Sequence, residues 1–293
     1  MVRVDCVLDI KARVGEGAVW DDRDQALWWV DIEAPSLNRF DPASGHNQAW
    51  TMPSRIGCFA LRERGGFVVA LQDGFKFFDT ETGGFEAITD PESHLPDNRF
   101  NDGTTDSKGR FIAGTVPMGP REPVAAFYRL SPDRSVETLF TGMRVTNGSA
   151  FSPDGRVFYF SDSEASVRSI WACDYEPETG AISNRRLFFD TNSVAGRPDG
   201  GTVDASGCYW MAGVGGWQLV RLTPAGEVDM VVEMPCERPT KVAFGGPQLD
   251  TLYVTSIGGG PTPSTDARQP QAGGVFALRV RGVEGVPAWR FTG

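Results

Sequence analysis

The sequence predicts an all-β fold, a six-bladed β-propeller with four-stranded blades around a central channel, and three observations carry that prediction. A polar turn followed by an apolar, strand-length run recurs six times. The recurrence interval is 40 to 52 residues, the length of one blade. No window keeps a 3.6-residue apolar stripe for three turns without meeting Gly or Pro, so no long helix is expected. The 35 glycines and 20 prolines, both above average usage, suit a chain with many turns.

Taken in order, the runs are Leu27-Trp28-Trp29-Val30, Phe67-Val68-Val69-Ala70, Phe111-Ile112-Ala113, Val157-Phe158-Tyr159, Tyr209-Trp210-Met211 and Leu252-Tyr253-Val254. Anchored on their first residues, they step by 40, 44, 46, 52 and 43 positions. A second series trails the first: residues 37–40, 75–78, 127–130, 170–173, 219–222 and 275–278. Several of these run into turn chemistry such as Asp41-Pro42-Ala43-Ser44-Gly45 or Glu178-Thr179-Gly180, which bounds them as strands. The whole chain, 1–293, reads as one propeller domain. Open sheet edges are a liability, so the ring is expected to close by pairing Val4–Leu8 with the strand-like Trp289-Arg290-Phe291. The irregular stretch from Gly258 to Gly274 reads as a surface insertion in the last blade.

Charge and cysteine usage narrow the function. A net charge of −10 and a pI near 4.8 argue against nucleic acid or an anionic membrane as partner, since both demand a basic face. The five cysteines (Cys6, Cys58, Cys173, Cys208, Cys236) form no C-x-x-C pair and read as reduced, mostly buried thiols. No signal-peptide pattern and no run of 18 apolar residues is present. The expectation is a soluble cytoplasmic protein, a monomer or small homo-oligomer.

In a propeller the innermost strands line the channel, so polar residues at their starts, where a core side chain belongs, are the candidates for a site. Glu16, the trio Arg99, Asn101 and Asp102, then Asn147 and Asp199 occupy such places, with glycine close behind and an apolar run following. Any one alone reads as a turn residue or a bonded core polar group; their recurrence in one repeat phase points to convergence. Two carboxylates, Glu16 and Asp199, with the amide oxygen of Asn147 would form a hard-oxygen site. With His46 and His94 the only histidines, a His-built zinc site is not available, and oxygen donors suit Ca²⁺, Mg²⁺ or Mn²⁺. Three protein donors leave positions open, the mark of a catalytic rather than a closed site.

The segments Asn98-Arg99-Phe100-Asn101-Asp102-Gly103, Thr146-Asn147-Gly148 and Pro198-Asp199-Gly200, with Ala243-Phe244-Gly245-Gly246-Pro247, resemble the SMP-30/gluconolactonase (regucalcin-like) family. The resemblance runs from Gly15-Glu16-Gly17 to Gly273-Gly274-Val275. It implies a sugar lactone lactonase with one divalent cation (Ca²⁺, Mg²⁺, Mn²⁺, Zn²⁺ or Fe²⁺) held by Glu16, Asn147 and Asp199. It implies substrate contacts at Arg99 and Asn101, with Glu122 as the acidic contact from the loop 116–122, where the chain departs from the family pattern. Asp102 joins the substrate contacts.

The implied chemistry is hydrolysis of an aldonolactone, with the cation polarising the carbonyl or acidifying water and Arg99 and Asn101 facing the developing charge. Asp199 is the nominal base and Asp102 the reserve. A serine nucleophile is disfavoured, since no G-x-S-x-G occurs. Two other readings remain open: a non-catalytic calcium-binding propeller, and a metal-dependent hydrolase of other esters or organophosphates. His94 as a contact to the sugar and Trp217 as a stacking platform are the remaining residues of interest.

Overall fold

Each of the six anchor residues lies in the second strand of a four-stranded antiparallel sheet, and each run of the trailing series lies in the third. The computed structural model describes residues 2–259 and 266–293. After β1 (Val4–Leu8), the first blade comprises β2 (Gly15–Asp21), β3 (Ala26–Asp31), β4 (Ser36–Asp41) and β5 (His46–Thr51). The second comprises β6 (Ile56–Leu61), β7 (Phe67–Leu71), β8 (Gly74–Phe78) and β9 (Phe85–Thr89). The third comprises β10 (Asn98–Thr105), β11 (Phe111–Pro117), β12 (Ala125–Leu130) and β13 (Val136–Met143). The fourth comprises β14 (Thr146–Phe151), β15 (Val157–Asp162), β16 (Ser169–Glu176) and β17 (Ala181–Asp190), with a 3₁₀ turn at Thr191–Ser193. The fifth comprises β18 (Arg197–Val203), β19 (Tyr209–Val214), β20 (Gln218–Leu222) and β21 (Val228–Glu233). In the sixth, β22 (Pro239–Gly245), β23 (Thr251–Ser256) and β24 (Val275–Leu278) accept β1 as outer strand. The result is a six-bladed propeller. No described helix is long and apolar enough to cross a membrane.

The ring closes differently from the sequence expectation. β1 pairs with β24 (Val4↔Leu278, Cys6↔Phe276), not with Trp289–Phe291. The C-terminal segment is drawn instead to the far end of the channel, by charge and by burial. Arg290 bonds Asp21 at 2.5 Å and Asp22 at 2.7 Å, and fully buried Phe291 bridges to Arg62 beside Phe77. The described ends of the 258–274 segment are packed against the body: Gly258 N donates to the Ala12 carbonyl, Ala12 N to that of Gly273, and buried Gln269 accepts from Glu237 N. Its middle, 260–265, lies outside the described residues.

Apolar clusters fill the space between blades. Trp28, Val30, Phe59, Phe67 and Val69 join the first blade to the second, with the Trp28 and Phe67 rings 4.5 Å apart. Each such side chain fully removed from water contributes about 1.5–3 kcal/mol, which makes the inter-blade seams the rigid frame of the channel.

The inner strands share one irregularity. In β2 the pairing passes from Glu16↔Val30 to Val19↔Trp28, so three steps oppose two. The same extra residue occurs at the same level in β10 (Phe100 to Gly103), β14 (Asn147 to Ala150), β18 (Pro198 to Gly201) and β22 (Pro239 to Val242), and in β6 between Ile56 and Cys58. A β-bulge bends its strand and re-aims side chains; repeated in all six blades, it turns successive residues toward one axis.

Gly57, in the β6 bulge, makes the close approach possible. A Cβ there would lie 2.2 Å from the Phe100 carbonyl oxygen and 2.6 Å from Asn101 N. Gly57→Ala is expected to lose about 1–3 kcal/mol, read as a lowered Tm. Gly119→Ala, with nothing within 4 Å of its Cβ, serves as the neutral control. Equal Tm values for the two variants would show that β6 and β10 are not held this closely.

Candidate functional site

The bulges sort the polar residues into layers. Glu16 and Asn147 are the last paired residues before the bulge, while Asn101, Asp199 and Thr240 are the first within it. The residues expected to share one repeat phase therefore divide between two adjacent positions, yet the layers are close enough for Glu16, Asn101, Asn147 and Asp199 to line the same cavity of about 190 Å³. Arg99, Arg121, Arg197, Ser163 and Glu164 share its wall with a collar of valines and isoleucines.

Asn147 is fixed from its nitrogen side. Its Nδ2 donates to Ser163 Oγ at 2.8 Å, and Ser163 Oγ in turn donates to the Pro198 carbonyl. The Asn147 Oδ1 is left to accept Asn101 Nδ2 at 3.2 Å. That same Nδ2 donates to the Thr146 carbonyl at 2.8 Å, and Arg99 Nη1 donates to Asn101 Oδ1 at 2.7 Å. Arg99 and Asn101 thus hold each other in place at the cavity wall, and the Arg99 guanidinium is further tied to the Phe100 carbonyl.

The two carboxylates meet on the floor, Glu16 at 6% and Asp199 at 7% exposure. Glu16 Oε2 accepts its neighbour's Gly17 N–H at 2.7 Å. Burial pushes Glu16 well above the usual carboxylate range, and the charges of Asp199 and Asp102 push it further. Burial likewise raises Asp199 to about 7, against the opposing pull of a hydrogen bond with Glu16 and of the Arg197 and Lys241 charges. Burial thus makes each carboxyl of the pair hold its proton more tightly than a free carboxyl does.

Asp102 takes a different position from the one expected. At 1% exposure it sits one residue further along β10, off the cavity wall, with Oδ1 accepting Lys241 Nζ at 2.7 Å and Oδ2 accepting Ser149 N at 2.7 Å. Both oxygens are engaged within the chain, and its charge is matched by Lys241. Glu122 is exposed on its loop, and the neighbouring Arg121 reaches the cavity in its place. His94 is exposed and does not line the cavity. Trp217 sits in a turn with Arg268 over its ring at 5.7 Å, also away from the cavity.

Sequence reasoning did not single out Arg121, Ser163, Arg197 or Lys241. Arg197 carried a usable signal, since it lies two residues before Asp199 and alternate residues of a strand share a face. Lys241 follows Thr240 in the same phase as Asp102 follows Asn101. Arg121, on a loop without period, carried none.

Two buried carboxylates and an amide oxygen pinned through its nitrogen form a hard-oxygen donor set that fits a divalent cation. Among the described residues no group of three or more His, Cys, Asp or Glu is gathered to hold a metal; in this candidate set the third oxygen would come from the Asn147 amide.

Comparison with known proteins places the chain. The family model described as SMP-30/Gluconolactonase/LRE-like region matches residues 14–258. The chain is 36% identical over 295 residues to regucalcin of Danio rerio, covering all of this chain and 99% of that one. It is 37% identical over 275 residues to a 6-deoxy-6-sulfogluconolactonase of Pseudomonas putida, covering 94% of each. A solved structure described as a calcium-binding protein, regucalcin, from Agrobacterium tumefaciens superposes with a TM-score of 0.91 at 27% identity, over 99% of this chain and 97% of that one. The chain belongs to the SMP-30/gluconolactonase family.

Proposed function

We propose that this protein is a divalent-metal-dependent lactonase that opens sugar lactones to aldonic acids. The observation that carries the reading is the convergence of Glu16, Asn147 and Asp199 on the floor of a cavity whose wall holds Arg99 and Asn101. The name of the Pseudomonas putida relative supports the substrate class, and the calcium-binding description of the Agrobacterium tumefaciens protein supports a divalent cation.

Glu16, Asn147 and Asp199 would hold the cation, which when bound supplies Lewis acidity toward the lactone carbonyl and acidifies nearby water. The chain's own residues do the rest. Arg99, fixed by Asn101 and the Phe100 carbonyl, presents its remaining donors to the substrate and stabilises negative charge growing on the carbonyl oxygen. The valine and isoleucine collar limits water around the ring and strengthens these interactions. Water oxygen bonds to the carbonyl carbon and the ring C–O bond breaks. Asp199 accepts the proton released by the attacking water and returns one to the departing ring oxygen, which leaves as a hydroxyl. Two such transfers at one carboxylate are worth about 10²–10⁴ in rate.

Removing divalent metal with a chelator is expected to abolish acid release from glucono-, galactono- and xylonolactone, and re-adding Ca²⁺, Mn²⁺ or Zn²⁺ singly identifies the active ion. Glu16→Gln and Asp199→Asn should each lose metal affinity and at least about 10²-fold in kcat/KM, followed by titration of released acid. Full turnover by chelated protein would overturn the metal-dependent scheme. Tight metal binding without lactone turnover would favour a binding protein.

The Asp199 shift sets a pH dependence in metal-free protein. Its carboxyl rises from the usual 3.8 to about 7 on folding, so the folded state holds the proton more tightly. The associated stability is full below about 4 and is lost as pH climbs through about 7. The Tm of the wild type minus that of Asp199→Asn should therefore fall across this window, and the stabilisation gained from added cation should grow over the same range. A difference that stays flat, or rises, would contradict the assignment.

A further inference from the structure

We propose that the ligand of this cavity carries an anionic group at the end remote from its reacting carbonyl, gripped by Arg121 and Arg197. That the ligand is a lactone rests on the reading above.

Arg197 opens β18 two residues outside Asp199, about 7 Å along a strand, and both side chains line the cavity. Arg197 pairs with Val214 through the β18–β19 ladder, but among the described residues its guanidinium has no hydrogen-bond or ion-pair partner. Arg121 reaches the same cavity from the loop between β11 and β12; its side chain bonds the Pro117 carbonyl, and no carboxylate pairs with it among the described residues. The two guanidinium groups are near enough for the Arg197 charge, after burial, to weaken the hold of Arg121 on its proton. Arg99 joins them on the wall. Arg39, Arg55 and Arg186, by contrast, are each neutralised by a carboxylate, Asp24, Glu33 and Asp174 respectively.

Charge counting sharpens the point. With Glu16 and Asp199 neutralised by a cation, the cavity holds Arg99, Arg121 and Arg197 against Glu164, whose Oε2 is already taken by the Ser166 N–H at 2.5 Å and by the Ser166 hydroxyl. A positive chamber in a chain of net charge −10 is a local arrangement, not a consequence of composition. A neutral aldonolactone leaves those charges unmatched. A carboxylate, sulfonate or phosphate ester fits the planar guanidinium fork with parallel hydrogen bonds.

The test compares kcat/KM for glucono-δ-lactone with that for 6-phosphoglucono-δ-lactone and a glucaric acid monolactone. Wild type, Arg121→Gln, Arg197→Gln, the double variant and Arg197→Lys are assayed, each with its Tm. Wild type should favour the charged lactones by about 10-fold or more. The double variant should lower that ratio by about 10–100-fold, chiefly through KM, while Arg197→Lys, which keeps the charge but not the fork, should fall between wild type and Arg197→Gln. A wild-type ratio near one, or a ratio unmoved in the double variant, overturns the proposal while leaving the lactonase reading standing. Calorimetric titration with 6-phosphogluconate and with gluconate separates the two failures. If no lactone is hydrolysed but 6-phosphogluconate binds more tightly than gluconate in an arginine-dependent way, the lactonase reading falls and the anion pocket stands. If that binding shows no such dependence, the anion pocket falls too.

Discussion

Glu16 and Asp199 bring two carboxyl groups within hydrogen-bonding reach of each other at the propeller axis, each with less than a tenth of its surface exposed. Ionised and alone, such a pair costs several kcal/mol per charge. Protonation or a bound cation would relieve that cost, and burial holds the carboxyl of each above its usual range. The adjacent layer shows the other solution. Asp102 and Lys241 neutralise one another with a direct 2.7 Å contact, and a backbone N–H takes the remaining oxygen. One layer of the axis is matched from within the chain and the next is not, and the unmatched layer lies on the cavity.

The scaffold explains how these layers arise. A regular inner strand would send alternate side chains up and down the blade and keep them in the inter-blade core. One extra residue in each inner strand breaks that alternation at a common height and aims consecutive residues at the axis. Gly57 then allows β10 to pack against β6 closely enough to bring Asn101 into reach of Asn147. Because the site is built on strand starts locked by apolar seams rather than on loops, its donors are held in place before any ligand arrives. The opposite end of the channel is lined by the C-terminal segment, with Val286, Pro287 and Trp289 beside the inner strands.

Much of this was legible in the residues. The blade period needed only the apolar runs at Leu27 through Leu252, because propeller strands repeat on one scale and each must bury a face. Ring closure was misread, since strand propensity at Trp289–Phe291 carries no information about the pairing of Arg290 with Asp21 and Asp22 across the molecule. Glu16, Asn147 and Asp199 stood out because polar side chains replaced core residues at repeated positions. Their division into two layers was hidden, since a bulge is a matter of register between strands and not of composition. Asp102 looked equivalent to Asn101 for the same reason; only a partner 139 positions away on β22 shows it to be matched internally. Glu122 and Arg121 sit on a loop without period, where sequence proximity does not say which side chain turns inward.

Diffraction from crystals soaked in Mn²⁺, recorded at the manganese absorption edge, measures the central claim most directly. The account predicts one strong anomalous peak bounded by the Glu16 and Asp199 carboxylates and the Asn147 amide oxygen, and its loss in Asp199→Asn. A peak elsewhere, with Glu16 and Asp199 still bonded to each other, would contradict it.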